Sequence, residues 1–181
     1  PTPRNDNHTP NLSFLENASR SISNFIKRGH LIIIESTVAP GTIESFVLPI
    51  LESSGLIAGR DFFLAHSPER VDPGNKKWSL EKIPRVVGGL TDECRKRAVK
   101  FYRSILEADV IEVSSLKVAE ATKILENTFR DINIAFINEM AKSFDKANID
   151  IMEVIKAAST KPFGFMPHYP GLSLIHISEP T

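Results

Sequence analysis

From Leu116 to Lys146 the sequence has neither glycine nor proline, and apolar residues recur at Val118, Leu125, Ile132, Phe136, Met140 and Phe144. A stretch of that kind reads as one helix of about 30 residues, close to 45 Å long at 1.5 Å per residue. Such a rod is longer than a small sheet can cover, so it is expected to span domains or a subunit interface. It also separates two regimes of sequence. Before it, short β-branched runs alternate with helical spacings and turns. After it come one short helical segment, Ile151 to Ala158, and a loop of Pro, Gly and aromatic residues over 161–171.

In the first regime, residues 1–12 hold three prolines and read as loop. Phe14, Leu15, Ala18, Ile22 and Phe25 have helical spacing, with Ser13 as the expected N-cap. His30 to Glu35 is too continuously apolar for a strand with one wet face and predicts a strand covered on both sides. A turn follows at Ser36 to Thr42, then a helix through Val47, Leu48, Ile50 and Leu51, with Gly55 as its natural stop. Asp61 to His66, Arg85 to Val87 and Val110 to Val113 predict three more strands, and Thr91-Asp92-Glu93 opens a helix between the last two. The alternation predicts an α/β fold with a mostly parallel sheet.

Composition narrows the function classes. Lys and Arg total 22 against 22 Asp and Glu, so there is no basic surplus for nucleic-acid binding. No apolar run approaches the roughly 18 residues needed to cross a bilayer. A single cysteine, Cys94, excludes a disulfide framework and a cysteine zinc site, and fits a reducing, cytoplasmic setting. It lies in the charged segment Asp92-Glu-Cys-Arg-Lys-Arg and reads as structural. The five histidines show no metal-ligand spacing.

Three features could carry chemistry. Ligands of open α/β sheets sit at the carboxyl ends of strands, where Thr37 and Glu69 each follow one. Lys123 and Asn127, four apart on the long helix, stack on one face, where a cation and an amide could hold an oxyanion. Taken singly, each has a plainer explanation: a turn threonine, a loop glutamate, and a solvated helix face with a Glu120–Lys123 pair.

Together the motifs say more. Glu35-Ser36-Thr37-Val-Ala-Pro40-Gly41-Thr42, Ser67-Pro68-Glu69-Arg70-Val71-Asp72-Pro73-Gly74-Asn75 and Ile83-Pro-Arg-Val-Val-Gly88-Gly89 resemble the nucleotide-sugar 6-dehydrogenases, the UDP-glucose/GDP-mannose dehydrogenase family. Ala119-Glu120…Lys123…Asn127…Asn138-Glu139 and the Ala158 to Gly171 stretch extend the resemblance over residues 1–171. The SPERVDPGN wording is most similar to the branch oxidising UDP-N-acetylhexosamines.

The resemblance implies the second half of a Rossmann-type doubly wound sheet over residues 1–115, then a long central helix and a small helical domain over 116–171. It implies NAD as cofactor, a UDP-sugar as substrate, a homodimer or higher homo-oligomer built around the long helix, and no nucleic-acid, membrane or metal partner. The implied reaction is a four-electron oxidation of the C6 alcohol to a carboxylate through a cysteine thioester. Lys123 and Asn127 would stabilise oxyanions, Glu69 would act as general acid/base, and Thr37 would place the attacking water. Thr2, Ser36 and Thr37 would line the nicotinamide side of the cofactor pocket. Glu69, Arg70, Val71, Lys123, Asn127, Lys161, Tyr169 and Gly171 would contact the nucleotide sugar.

The resemblance also implies a Gly-rich dinucleotide fingerprint ahead of Pro1 and a nucleophilic cysteine beyond Gly171. Neither lies in the sequence, so the chain is expected to be an internal fragment, inactive alone. Residues 172–181 resemble an in-frame translation of a transposon-end sequencing adapter and are expected to be a non-native tail. A non-catalytic scaffold associating through the long helix is the alternative reading.

Overall fold

The computed structural model describes residues 2–71 and 80–172. The Asp72 to Asn75 part of the SPERVDPGN motif and tail residues 173–181 lie outside the described residues. In chain order the elements are α1 (Ser13–Ser23), β1 (Leu31–Ile34), a wide π-type turn (Ile43–Val47) running into α2 (Leu48–Glu52), and β2 (Phe63–His66). Then follow a 3-10 turn (Leu80–Lys82), β3 (Arg85–Gly89), α3 (Asp92–Ile105), β4 (Val110–Glu112), α4 (Leu116–Asp145) and α5 (Ile151–Ala158). Two compact units divide at Ile124/Leu125, within α4.

The first unit is a four-stranded sheet in the order β1-β2-β3-β4. β1 pairs with β2 and β3 with β4 in parallel, and only β2–β3 is antiparallel. Helices cover both faces, as the continuous apolar run at β1 implied. On one face Ile32, Ile34, Leu64, Leu15 and Leu116 pack around Ile43, Val47 and Leu51. The last three recur every four residues and are fully buried, a stripe contributing roughly 1.5–3 kcal/mol per side chain. On the other face Ala65 and Val87 meet Ala98, Val99 and Tyr102 of α3, with Leu31 and Ile33 packed partly against them.

Local signals explain most element ends. Thr91 Oγ1 accepts from Cys94 N at 3.2 Å and caps α3. Gly55, at φ +82°, takes the left-handed turn after α2. Gly88 and Gly89 serve differently: a Cβ on Gly88 would strike the Ser115 carbonyl, and one on Gly89 the Arg95 backbone. The strand end is therefore bare where α3 and α4 begin. Cys94 is buried, its sulfur accepting from Leu64 N at 3.4 Å, a structural setting.

The start of α1 departs from expectation. Ser13 is the first helical residue rather than the N-cap, and its N–H and hydroxyl both donate to Asn11 Oδ1. The buried face is Leu15, Ser19 and Ser23, whereas Phe14, Ile22 and Phe25 are exposed. Ser19 and Ser23 can be buried because each hydroxyl donates to a backbone carbonyl of its own helix.

In the second unit α4 runs on to Asp145, and Asn148 (φ +56°) turns the chain. Asp150 Oδ1 accepts from Met152 N at 2.8 Å and caps α5. Ile137 and Ile155 are its buried side chains. Among the described residues no helix is long and apolar enough to cross a membrane.

Candidate active site

Parallel pairing of β1 and β2 continues past the strands. Ser67 N donates to Ile34 O at 3.0 Å and Glu69 N to Glu35 O at 3.2 Å. Glu35-Ser36-Thr37 and Ser67-Pro68-Glu69 therefore leave the sheet side by side at its carboxyl end, where α/β folds place their ligands. Thr2 Oγ1 donates to the Thr37 carbonyl at 2.6 Å, bringing the N-terminal loop to the same place. Thr2, Thr37 and Thr42 line a cleft of about 260 Å³ whose remaining wall is apolar, including Leu12, Val38 and Ile124. Ser36 is half-buried beside it. A cleft with apolar walls and hydroxyl-bearing edges suits a flat heteroaromatic ring carrying an amide.

Glu69 is held at both oxygens. Oε1 accepts from Arg70 N at 2.7 Å and Val71 N at 2.9 Å, and Oε2 accepts from Arg85 Nη2 at 3.0 Å. Partial burial pushes its carboxyl up, but the two amides and Arg85 outweigh that and leave it below its ordinary value. Its side chain remains 43% exposed, so the carboxylate faces the crevice. Arg70, expected to reach the substrate, donates through Nη1 to Pro84 O at 2.8 Å. Val71 is exposed.

Behind Glu69 lies a group the motifs did not single out. The Arg85 side chain is 6% exposed, with Nη1 3.7 Å from Glu35 Oε1 and its guanidinium 5.6 Å from the Tyr102 ring. Tyr102 donates its hydroxyl to Glu35 Oε1 at 2.6 Å. Burial, then that bond, hold the phenol well above its ordinary value. The available signal was an arginine heading an otherwise apolar strand. On the opposite face His66 is fully buried, its Nδ1–H donating to Ile34 O at 2.7 Å. Nε2 has no hydrogen-bond partner, and burial pushes the ring down to about 4.

Glu120 overturns the plainer explanation of its helix as a solvated face. It is fully buried, and its carboxylate accepts from Gly41 N at 2.5 Å and Ile43 N at 2.9 Å. The first turn of α4 is thus tied to the loop that carries Thr37. Lys123 follows one turn later, half-buried. In the second unit Asn127 Oδ1 accepts from Arg130 Nη2 at 3.3 Å. Asn138 exchanges two hydrogen bonds with the Gly171 backbone, Nδ2 to O at 2.9 Å and N to Oδ1 at 3.0 Å. Lys161 Nζ lies 5.2 Å from the Phe163 ring, and Tyr169 is exposed.

Residues 1–106 match the model of the UDP-glucose/GDP-mannose dehydrogenase family, NAD binding domain, and residues 117–174 match the central domain of the same family. The chain belongs to that family. It is 46% identical over 173 residues to the UDP-N-acetyl-D-glucosamine 6-dehydrogenase of Pseudomonas aeruginosa, covering 95% of this chain and 41% of the relative. A UDP-N-acetyl-D-mannosamine dehydrogenase of Campylobacter jejuni is 38% identical over 170 residues, covering 90% and 42%. Among solved structures, the UDP-D-ManNAc dehydrogenase of Pyrococcus horikoshii superposes with a TM-score of 0.86 at 40% identity, over 94% of this chain and 40% of that one. The chain therefore spans about two fifths of the length of the relatives it matches.

Proposed function

We propose that this chain forms part of a cytoplasmic, NAD-dependent dehydrogenase that oxidises the C6 alcohol of a UDP-N-acetylhexosamine to the carboxylate. The observation that carries the reading is Glu69, a half-open carboxylate fixed at both oxygens where β1 and β2 end, beside the cleft edged by Thr2 and Thr37. NAD, when bound, accepts the hydride; Thr2, Ser36 and Thr37 would hold its nicotinamide end. Glu69, ionised in the resting chain, enters as a base: it takes a proton from a water, placed by Thr37, that attacks the thioester carbonyl, and returns that proton to the cysteine sulfur as the C–S bond breaks.

Lys123 and Asn127, one turn apart on α4, would meet the oxygen on which charge develops, where a preorganised donor is most effective. Arg70, Val71, Lys161, Tyr169 and Gly171 would contact the nucleotide sugar. The names of the relatives support the substrate class, and 46% identity to a UDP-N-acetylglucosamine enzyme supports the N-acetylhexosamine branch. Val118, Leu125, Ile132 and Phe136 stand exposed along α4, which supports association with a second copy through that helix.

In the complete enzyme containing this chain, Lys123→Ala is expected to lower kcat roughly 100- to 1000-fold, the cost of one oxyanion donor. Stability should change little, since alanine is a better helix former. A kcat within threefold of the parent would end the assignment. The scaffold alternative predicts that outcome.

A further inference from the structure

We propose that Arg85 is the positioning residue of this site: lodged between Glu35 and Glu69, it fixes the Glu69 carboxylate at the strand-end crevice as an anion, so that Glu69 enters the reaction as the base. The inference rests on the role given to Glu69 above and names the group behind it. The arrangement is inverted from an ordinary surface ion pair. The cation is inside, 6% exposed, and the two carboxylates are outside, at 43% for Glu69 and 48% for Glu35.

A guanidinium keeps its proton in a protein, so its buried charge must be met by whatever faces it. Among the described residues, the groups that face it are Glu69 beyond β2, Glu35 beyond β1, and the Tyr102 ring of α3. Glu35 is the weaker claimant. Its Oε1 already accepts the Tyr102 hydroxyl at 2.6 Å, and it stands 3.7 Å from an Nη1 that has no hydrogen-bond partner. Nη2 gives its hydrogen bond to Glu69 at 3.0 Å. With Arg70 N and Val71 N on the other oxygen, Glu69 has a donor on each side. Protonating it would weaken them, because a neutral carboxyl is a poorer acceptor than its anion. The guanidinium fork also sets direction, because its planar N–H groups fix where the carboxylate lies, as a lysine ammonium would not.

Carbon-13 NMR of the 181-residue chain, labelled at glutamate carboxyls, follows Glu69 through an acid titration. In the parent it should titrate below a free glutamate, about 4.3. Arg85→Met should raise it by about one unit or more, the effect of losing an adjacent opposite charge. Arg85→Lys should keep most of the depression. Glu35→Gln, which removes only the competing carboxylate, should leave Glu69 where it was or lower. Dispersion of the amide spectrum shows which variants are folded. A folded Arg85→Met chain with Glu69 titrating as in the parent overturns the proposal, and so does Glu35→Gln raising Glu69 as far as Arg85→Met does.

If Arg85→Met does not fold, the parent decides. The Arg85 guanidinium nitrogens should exchange places slowly while Glu69 is ionised and freely once it is protonated; free rotation at every pH overturns the proposal. None of these readings requires turnover. Loss of the dehydrogenase reading and loss of the Arg85 assignment are therefore separate results.

Discussion

Two carboxylates in the first unit use the same device to different ends. Glu120 accepts two backbone N–H groups from Gly41 and Ile43, some 77–79 residues away in sequence, and is sealed at 0% exposure. Glu69 accepts two from Arg70 and Val71, its own next neighbours, and stays 43% open. The first joins α4 to a distant loop. The second shapes its own turn and meets the buried Arg85 guanidinium, and it keeps an open side. What separates a sealed carboxylate from an open one here is where the donors come from and how much of the group water reaches. The number of backbone hydrogen bonds is the same.

The sharpest way to break that contrast is Glu120→Ala. It should strand the Gly41 and Ile43 N–H groups in a buried place and leave a void, costing about 3–5 kcal/mol. A denaturant midpoint close to the parent would mean that the clamp is dispensable. His66 extends the rule to a buried base. Its ring is pushed down to about 4 by burial, against the effect of the Ile34 carbonyl bond, whereas the unfolded chain titrates near 6.5.

Falling pH therefore protonates the unfolded chain first. The stabilising contribution is complete above about pH 6.5 and is lost progressively down to about 4, roughly 3 kcal/mol in all. Stability curves at several pH values should show that slope, and His66→Asn should flatten it. A parent chain equally stable at pH 6.5 and 4.5 would contradict the buried neutral ring. Thr91→Ala, which removes the α3 cap and the hydroxyl's bond to the Cys94 sulfur, should cost about 1 kcal/mol by the same measurement. Glu69→Gln keeps the turn, since the amide oxygen can still accept there, but removes one of the two charges that meet Arg85, and a loss of about 1 kcal/mol, comparable to the cap, is expected. A large loss would place Glu69 with Glu120 as a structural group.

What was legible in the sequence follows the same line. The α3 cap at Thr91, the ends of α4 and α5 and the two-faced cover of β1 were readable because each is decided within a few residues. The motif pairs at Thr37 and Glu69 were readable because strand ends have a known use. The buried face of α1 was not: Ser19 and Ser23 lie inside while Phe14 and Phe25 lie out, an inversion of pattern that tertiary packing decides. Arg85 and Glu120 escaped for a related reason. A charged residue reads as solvent-facing unless its partners are seen, and the partners of Glu120 lie in a loop far back in the sequence.

The bare end of β3 has a consequence for how this site can vary. Because the Ser115 carbonyl crosses where a Gly88 side chain would be, the first turn of α4 is set by direct backbone contact with the strand. Even one methyl group there would act as a wedge. It would lever the helix outward, drawing Glu120 off Gly41 and Ile43. The spacing between the start of α4 and the sheet is therefore a dimension this scaffold holds constant.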